Sequence, residues 1–453
     1  MSATEGAYDG GYTIVILELE LVKMNPWVAV TGRVESWVKN PEGFLPVSCT
    51  VIDVEDRMEG RDGIEDSWLF TSKALRMGAG VAVHLSKLRP AGTVSPRTGH
   101  VASGPVSFAK IYSVINETIR RGGRYKNGAI TLHLDANHPD LPDFLNLKPE
   151  EIPWAKRAIE VGDEVLDSPH LDLILQKVKD GSVWLAKRRP GLLPNVCMEI
   201  YLPSRGTCLL MHVNLGRCSI EQIPDAFVDV MREICGLHPR TGVGQEGIYL
   251  RPEEDRQVGV GVIGLASLLA REGIRYVDLV EAWENLLAGK IRGGAASRLA
   301  VALTEGLEAA ADVASQYGME RALTIAPTAS TAYRYTDSEG WTTTPEISPP
   351  IARTVERYSA TFGIQVYDHH PEVETVQDVP WDVYFRLACC WQTVMNKTGK
   401  AHAISFNVWD NVEINREWLE RWLKSPLYTT YYRLPVSNQC SLDKTQICSA
   451  CAG

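Results

Sequence analysis

No apolar run in the 453 residues reaches the roughly 20 residues that cross a bilayer. The best candidate, residues 12–24, is interrupted by Glu18 and Glu20 alternating with Leu17, Leu19 and Leu21, which reads as a strand. It also lacks a basic start and a cleavage site, so no secretory signal is expected. Excess basic charge is missing too: 46 Lys and Arg face 56 Asp and Glu, a net charge of −10. That balance argues against DNA or RNA as a partner, while a small phosphate needs only local positive potential. Internal repeats and low-complexity linkers are likewise lacking. The expectation is a cytoplasmic protein with no membrane and no nucleic-acid polymer as partner. Thiols stay reduced in that compartment, so ten cysteines there point to catalysis or metal binding rather than structural disulfides.

What is present suits a globular α/β chain, with 45% hydrophobic and 23% charged residues. The length suggests about three domains, although one large barrel also falls within the ordinary range. Strand-like and helix-like segments alternate. Phe108, Ile111, Ile115 and Ile119 recur at helical spacing, with Pro105 ahead of them and Gly122-Gly123 behind. Ile130, Leu132 and Leu134 then alternate with Thr131, His133 and Asp135 as a strand. Residues 297–317 read as a long Ala/Leu-rich helix closed by Gly318, and 322–326 as a short strand. Residues 437–453 are polar, rich in small side chains, and carry three cysteines.

Chemistry concentrates in Leu-Pro-Asn-Val-Cys-Met-Glu-Ile, where Asn195, Cys197 and Glu199 alternate. In an extended segment, residues two apart share a face. An amide, a thiol and a carboxylate there could hold a hydroxyl, abstract from the neighbouring carbon and accept a proton. Further thiols stand at Cys49, at Cys208 and in Cys448-Ser-Ala-Cys451. A thiol and a carboxylate on one face, with other thiols in reserve, suggest radical or redox chemistry rather than hydrolysis.

Other motifs are weaker. Gly259, Gly261 and Gly264 form G-x-G-x-x-G, but the charged run before them is no buried strand. NAD binding is therefore rejected, in favour of glycines that let a helix pack closely. Pro327, Thr328, Ala329, Ser330 and Thr331 follow a strand and open a helix, which suits a phosphate, although simple N-capping accounts for them equally well. Cys448 and Cys451 read as half a zinc site or as an exchanging dithiol. No histidine follows His402, so the dithiol is preferred and no metal ligand set is expected in the chain. Cys218, Cys235, Cys389 and Cys390 are expected to pack in the core. The phenols of Tyr431-Tyr432 could carry a radical, but by themselves read as a strand edge or a helix cap. Arg120, Arg121, Arg124 and Lys126 cluster around Gly122-Gly123, and Arg89 and Arg97 flank another loop, so either place could receive a nucleotide.

Together these segments resemble the large catalytic subunit of ribonucleotide reductase. Pro-Asn-Val-Cys-Met-Glu-Ile is similar to that family's finger loop, and Cys49 and Cys208 match its redox pair. Val-Gly-Val-Gly-Val-Ile-Gly-Leu resembles its glycine-rich helix, Pro327 to Thr331 its substrate-phosphate loop, and the stretch from Asn137 to Lys148 also has the family's look. The resemblance implies an α/β barrel of ten strands in two five-stranded parallel halves, with a central finger loop. Residues 1–436 would form that barrel with its N-terminal strand region, and 437–453 a flexible redox tail. It further implies Cys197 as the thiyl radical, Glu199 as general base, Asn195 as substrate holder, and Cys49 with Cys208 as the reducing pair. Cys448 and Cys451 would re-reduce that pair in exchange with thioredoxin or glutaredoxin. Ser48 and the loop from Pro327 would hold substrate phosphates.

Tyr431-Tyr432 matches the pair that relays a radical from a separate ferritin-like subunit in class I enzymes. A class I enzyme is therefore expected, with no cofactor in this chain and the radical supplied by a metal-containing partner subunit. The runner-up is a class II enzyme that binds adenosylcobalamin in the same chain; more remote is a silent nucleotide-binding homologue. Asp56, Arg89, Arg97 and Arg124 fall where the family binds a dNTP or ATP effector at a homodimer interface. Cys49 comes too early to leave room for an ATP-cone, so no overall on/off control by ATP and dATP is expected.

Overall fold

The computed structural model describes residues 25–96, 99–119, 128–290, 292–359 and 363–436. The expected strand within 12–24, the arginine loop with Arg124, Arg97, and the tail with Cys440, Cys448 and Cys451 lie outside those residues.

A short strand, Val28–Val30 (β1), precedes five parallel strands: Cys49–Asp53 (β2), Gly80–His84 (β3), Ile130–Asp135 (β4), Lys156–Val161 (β5) and Val183–Lys187 (β6). Helices Ile64–Arg76, Gly104–Thr118, Leu141–Asn146 and Leu171–Lys179 connect them. A small antiparallel hairpin follows, Leu193–Pro194 (β7) with Tyr201–Leu202 (β8). The second sheet joins Leu210–Asn214 (β9), Gln257–Ile263 (β10), Arg321–Ile325 (β11) and, after the antiparallel ribbon Thr354–Ser359 (β12) and Gly363–Asp368 (β13), Ala401–Ile404 (β14). Its order is β1-β9-β10-β11-β14. The two five-stranded halves expected from the sequence are present. In the second half β1 runs antiparallel to β9, a common way to finish the edge of a parallel sheet. Val408–Trp409 (β15) pairs with Arg433–Leu434 (β16) and brings the last described residues back onto the body.

Side-chain alternation explains which way each strand faces. Ile130, Leu132 and Leu134 pack outward with the helices in the large core, as do Val81, Val83, Ile159, Val183 and Leu185. The opposite faces supply Cys49, Val51, Ala82, Ala158, Trp184 and Ala186 to a second, inner cluster. The polar half of the alternation on β4, Thr131 and His133, is therefore barrel interior and not a wetted surface.

Strand β10 corrects an expectation. Gly259 and Gly261 do not belong to a glycine-rich helix: they lie within the strand, and Gly264, at φ 80°, turns it into helix Leu265–Glu272. The run Val258-Gly-Val-Gly-Val262 has period two, with the valines in the outer core and the glycines facing inward. A Cβ on Gly261 would lie 2.7 Å from the Thr324 carbonyl oxygen, and one on Gly259 would run into Leu210. These glycines allow neighbouring strands and the central loop to approach closely.

Candidate active site

The segment between β7 and β8 is a tight turn and not the extended stretch that its alternation suggested. Asn195 N–H donates to the Ile200 carbonyl (2.9 Å), Ile200 N–H to Asn195 Oδ1 (3.2 Å), and Met198 N–H to the Asn195 carbonyl (3.2 Å). Met198 takes a left-handed φ of 68°. The turn is therefore what brings Asn195, Cys197 and Glu199 together.

Both sheets grip this turn. From β4, Thr131 Oγ1 donates to the Val196 carbonyl (3.2 Å). From the second half, Ala403 N–H (2.8 Å) and Thr324 Oγ1 (2.9 Å) donate to the Glu199 carbonyl, and the Ser405 hydroxyl donates to the Cys197 carbonyl. The turn threads the barrel, and its backbone is fixed from opposite walls.

Three thiols meet there. Cys49, at the start of β2, makes side-chain hydrogen bonds to both Cys197 and Cys208. Cys208 is locked beside it by backbone bonds, Cys208 N–H to the Cys49 carbonyl and Ser48 N–H to the Cys208 carbonyl, each 3.0 Å. Asn195 Nδ2 lies 4.0 Å from Cys208 Sγ. All three cysteines are buried and free of disulfide bonds. Contact with Cys197 lowers the Cys49 pKa, but contact with Cys208 and burial outweigh it and leave the thiol well above its ordinary value. Burial pushes Cys208 up to about 11, against its hydrogen bond with Cys49. Both therefore remain protonated thiols at neutral pH. Glu199 is buried as well, and desolvation raises it to about 7 against hydrogen bonds from its own backbone and from Asn195. Its Oε2 has no hydrogen-bond partner among the described residues.

Tyr431 and Tyr432 close one side. Their ring centroids are 4.4 Å apart, and Trp184 packs against both at 4.6 and 5.0 Å. Tyr431 and Trp184 share the inner cluster with Cys197. Trp184 was missed in the sequence, where it reads only as an apolar position in a strand.

The expected phosphate loop begins just after Ala326, which also belongs to that cluster. It is partly satisfied from within. Thr328 N–H and Oγ1 both donate to Glu346 Oε2, at 3.0 and 2.9 Å, and Thr331 N–H turns back to the Thr328 carbonyl (2.8 Å). Ala329, Ser330 and Thr331 form the one-turn helix Ala329–Ala332 that follows Pro327. Glu346 is half-buried, and desolvation raises its pKa. No local motif marks this carboxylate, because it lies eighteen residues beyond the threonine it engages. Of the effector candidates, Asp56 and Arg89 meet in an ion pair of 2.6 Å. Cys218, Cys235 and Cys390 are buried in the outer core, with Cys389 packed against it, as expected.

Comparison with known proteins agrees with this geometry. A family model described as "Ribonucleotide reductase, barrel domain" matches residues 47–184. The chain carries a ribonucleotide reductase barrel. Over 334 residues, 61% of this chain and 46% of the relative, it is 29% identical to the vitamin B12-dependent ribonucleoside-diphosphate reductase of Mycobacterium tuberculosis (strain CDC 1551 / Oshkosh). The protein of the same name from Thermoplasma acidophilum is 26% identical over 291 residues, 54% of this chain and 37% of that protein. The chain thus spans less than half the length of these relatives. Among solved structures, the Actinobacillus ureae class Id ribonucleotide reductase alpha subunit gives a TM-score of 0.68 at 16% identity, covering 97% of this chain and 96% of that one. At that identity the likeness speaks for the fold alone.

These relatives correct two expectations. A ferritin-like radical subunit was inferred as partner, and the chain was expected to carry no cofactor, both from Tyr431-Tyr432. The matching reductases are instead named for their dependence on vitamin B12. The tyrosines themselves do not demand an outside radical source. Packed tilted and edge-on against Trp184 on the barrel wall, they have a packing role that accounts for two adjacent aromatic rings.

Proposed function

We propose that this barrel is the catalytic part of an adenosylcobalamin-dependent ribonucleotide reductase. The observation that carries the reading is the convergence of Cys49, Cys197, Cys208, Asn195 and Glu199 in one enclosed interior. In this reading Cys197, as a thiyl radical, takes the hydrogen atom from the ribose 3′ carbon. Glu199, with a free carboxylate oxygen and a pKa of about 7, accepts the proton of the 3′ hydroxyl. The Asn195 amide holds the substrate. The 2′ hydroxyl departs as water while Cys49 and Cys208 supply two electrons and two protons and become a disulfide. Cys197 then returns hydrogen to the 3′ carbon and is a thiyl again. Ser48 and the loop from Pro327 to Thr331 receive the phosphates, which compete with Glu346 for Thr328. Cys448 and Cys451 restore the dithiol by exchange and are themselves reduced by thioredoxin or glutaredoxin. Asp56 and Arg89 remain the effector candidates among the described residues, at a homodimer interface.

The wall beside Cys197 fits such a cofactor. The half-buried Tyr432 would offer a ring to an adenosyl group, with the buried Trp184 and Tyr431 packed against it as support. When bound, the cofactor supplies the one-electron oxidation of the Cys197 thiol. The test is an assay of ribonucleotide reduction with a small dithiol as reductant. Deoxyribonucleotide is expected with adenosylcobalamin and not without it; no product with the cofactor, or equal product in its absence, contradicts the reading.

A further inference from the structure

His84, His133 and Glu160 project from the adjacent parallel strands β3, β4 and β5, on their inner faces. His84 and His133 are direct partners in the strand register, and Glu160 pairs with Asp135, two residues beyond His133. The two imidazoles stack with centroids 4.1 Å apart. One ligand atom from each residue lies within 4.8 Å of the other two.

The hydrogen bonds of this group do not close. His84 Nε2 sits 3.0 Å from the Pro194 carbonyl, which can only accept, so Nε2 carries the hydrogen. In the neutral ring Nδ1 is then a lone pair, and it faces Glu160 Oε1 at 2.8 Å. Two acceptors at that separation need a cation between them. A proton would join His84 to Glu160 but would leave His133 as it stands: fully buried, with neither ring nitrogen hydrogen-bonded. A metal ion would satisfy all three side chains once the buried His133 ring, which no hydrogen bond holds, turns out of its stack on His84 and points a nitrogen at the ion.

We propose that His84, His133 and Glu160 bind a divalent zinc-type cation inside the barrel. Two neutral imidazoles and one carboxylate match the donors zinc takes, whereas magnesium and calcium prefer oxygen alone. Tetrahedral bonds of about 2.0 Å put ligand atoms roughly 3.3 Å apart; His84 Nδ1 and Glu160 Oε1 are 2.8 Å apart, and all three ligand atoms lie within 4.8 Å of one another, so small side-chain rotations reach that spacing. Three protein ligands leave one position for water. The hydrogen bond from His84 to Pro194 acts as an outer-shell support and ties the cation to the residue before Asn195. Occupancy would therefore stiffen one root of the turn that carries Cys197.

The test uses the full chain, free of cobalamin, stripped with a chelator, dialysed against zinc and analysed for bound metal. One zinc per chain is expected, lost in both His133→Gln and Glu160→Gln and retained in the Cys448→Ser/Cys451→Ser double variant. Cobalt(II) substitution of the unmutated chain gives a second readout that holds even if a variant misfolds. Four-coordinate visible bands without a thiolate charge-transfer band are expected. Absence of stoichiometric metal, its retention in folded His133→Gln, its loss from the tail variant, or a thiolate band overturns the proposal. Metal content is read without turnover, so this outcome is separate from that of ribonucleotide reduction.

Discussion

Glu199 shows how much one buried side chain can report. Its pKa of about 7 stands against an ordinary value of 4.5. As pH rises through that window an unfolded chain releases its proton while the folded chain retains it, so folding loses stability. The contribution is fully present below pH 4.5 and gone once pH passes about 7, and amounts to roughly 3 kcal/mol at about 1.4 kcal/mol per pH unit. Glu199→Gln should abolish this slope in denaturant titrations run between those limits, and should unfold at higher denaturant than the unmutated chain above pH 7. The same variant should lose turnover, because an amide cannot take the 3′ proton; unmutated kcat/KM should rise with pH through about 7. A variant with full activity would remove Glu199 as the base. Tyr431 makes an opposite prediction. If the radical arises at a bound cofactor, Tyr431→Phe keeps the ring against Trp184 and should retain turnover within a few-fold. Complete loss of activity in a folded Tyr431→Phe protein would restore an external radical path.

Among the elements, the finger turn and β10 differ in how far they could be read. Asn195, Cys197 and Glu199 stood out by residue type and spacing, yet the reason they cluster is a turn through left-handed Met198, which alternation cannot reveal. The grips of Thr131 on β4, Thr324 on β11 and Ser405 just past β14 come from three distant places in the sequence and leave no local signal. Strand β4 was legible because its period of two is regular. Its polar half faces the interior, a point that only barrel closure decides. Strand β10 was misread because Gly weakens strand propensity, and the charged run ahead of it looked unlike a buried strand. Its inward glycines now carry a prediction. Gly261→Ala forces a methyl to 2.7 Å from the Thr324 carbonyl oxygen, which is backbone and cannot swing away. A destabilisation of about 1–3 kcal/mol is expected by chemical denaturation. Turnover should fall as well, because Thr324 also holds the Glu199 carbonyl. An unchanged midpoint would mean that the strands can part there at little cost.

At the scale of the whole molecule, two sheets and one threaded turn enclose three buried thiols. These walls keep the three thiols close together and away from water, and burial keeps Cys49 and Cys208 protonated, conditions under which a radical can be handled and two electrons delivered. The proposed redox pair is separated by more than 150 residues in sequence, and the fold holds Cys208 beside Cys49 through backbone bonds from Cys208 N–H to the Cys49 carbonyl and from Ser48 N–H to the Cys208 carbonyl. The central claim is that these two thiols are the immediate reductant. The most direct measurement is a single turnover of fully reduced chain with ribonucleotide and adenosylcobalamin, no other reductant present, quenched, alkylated and mapped by mass spectrometry. The account predicts one disulfide between the peptides of Cys49 and Cys208 for each deoxyribonucleotide formed in that turnover. Product formed while Cys49 and Cys208 are both recovered as alkylated thiols would contradict it.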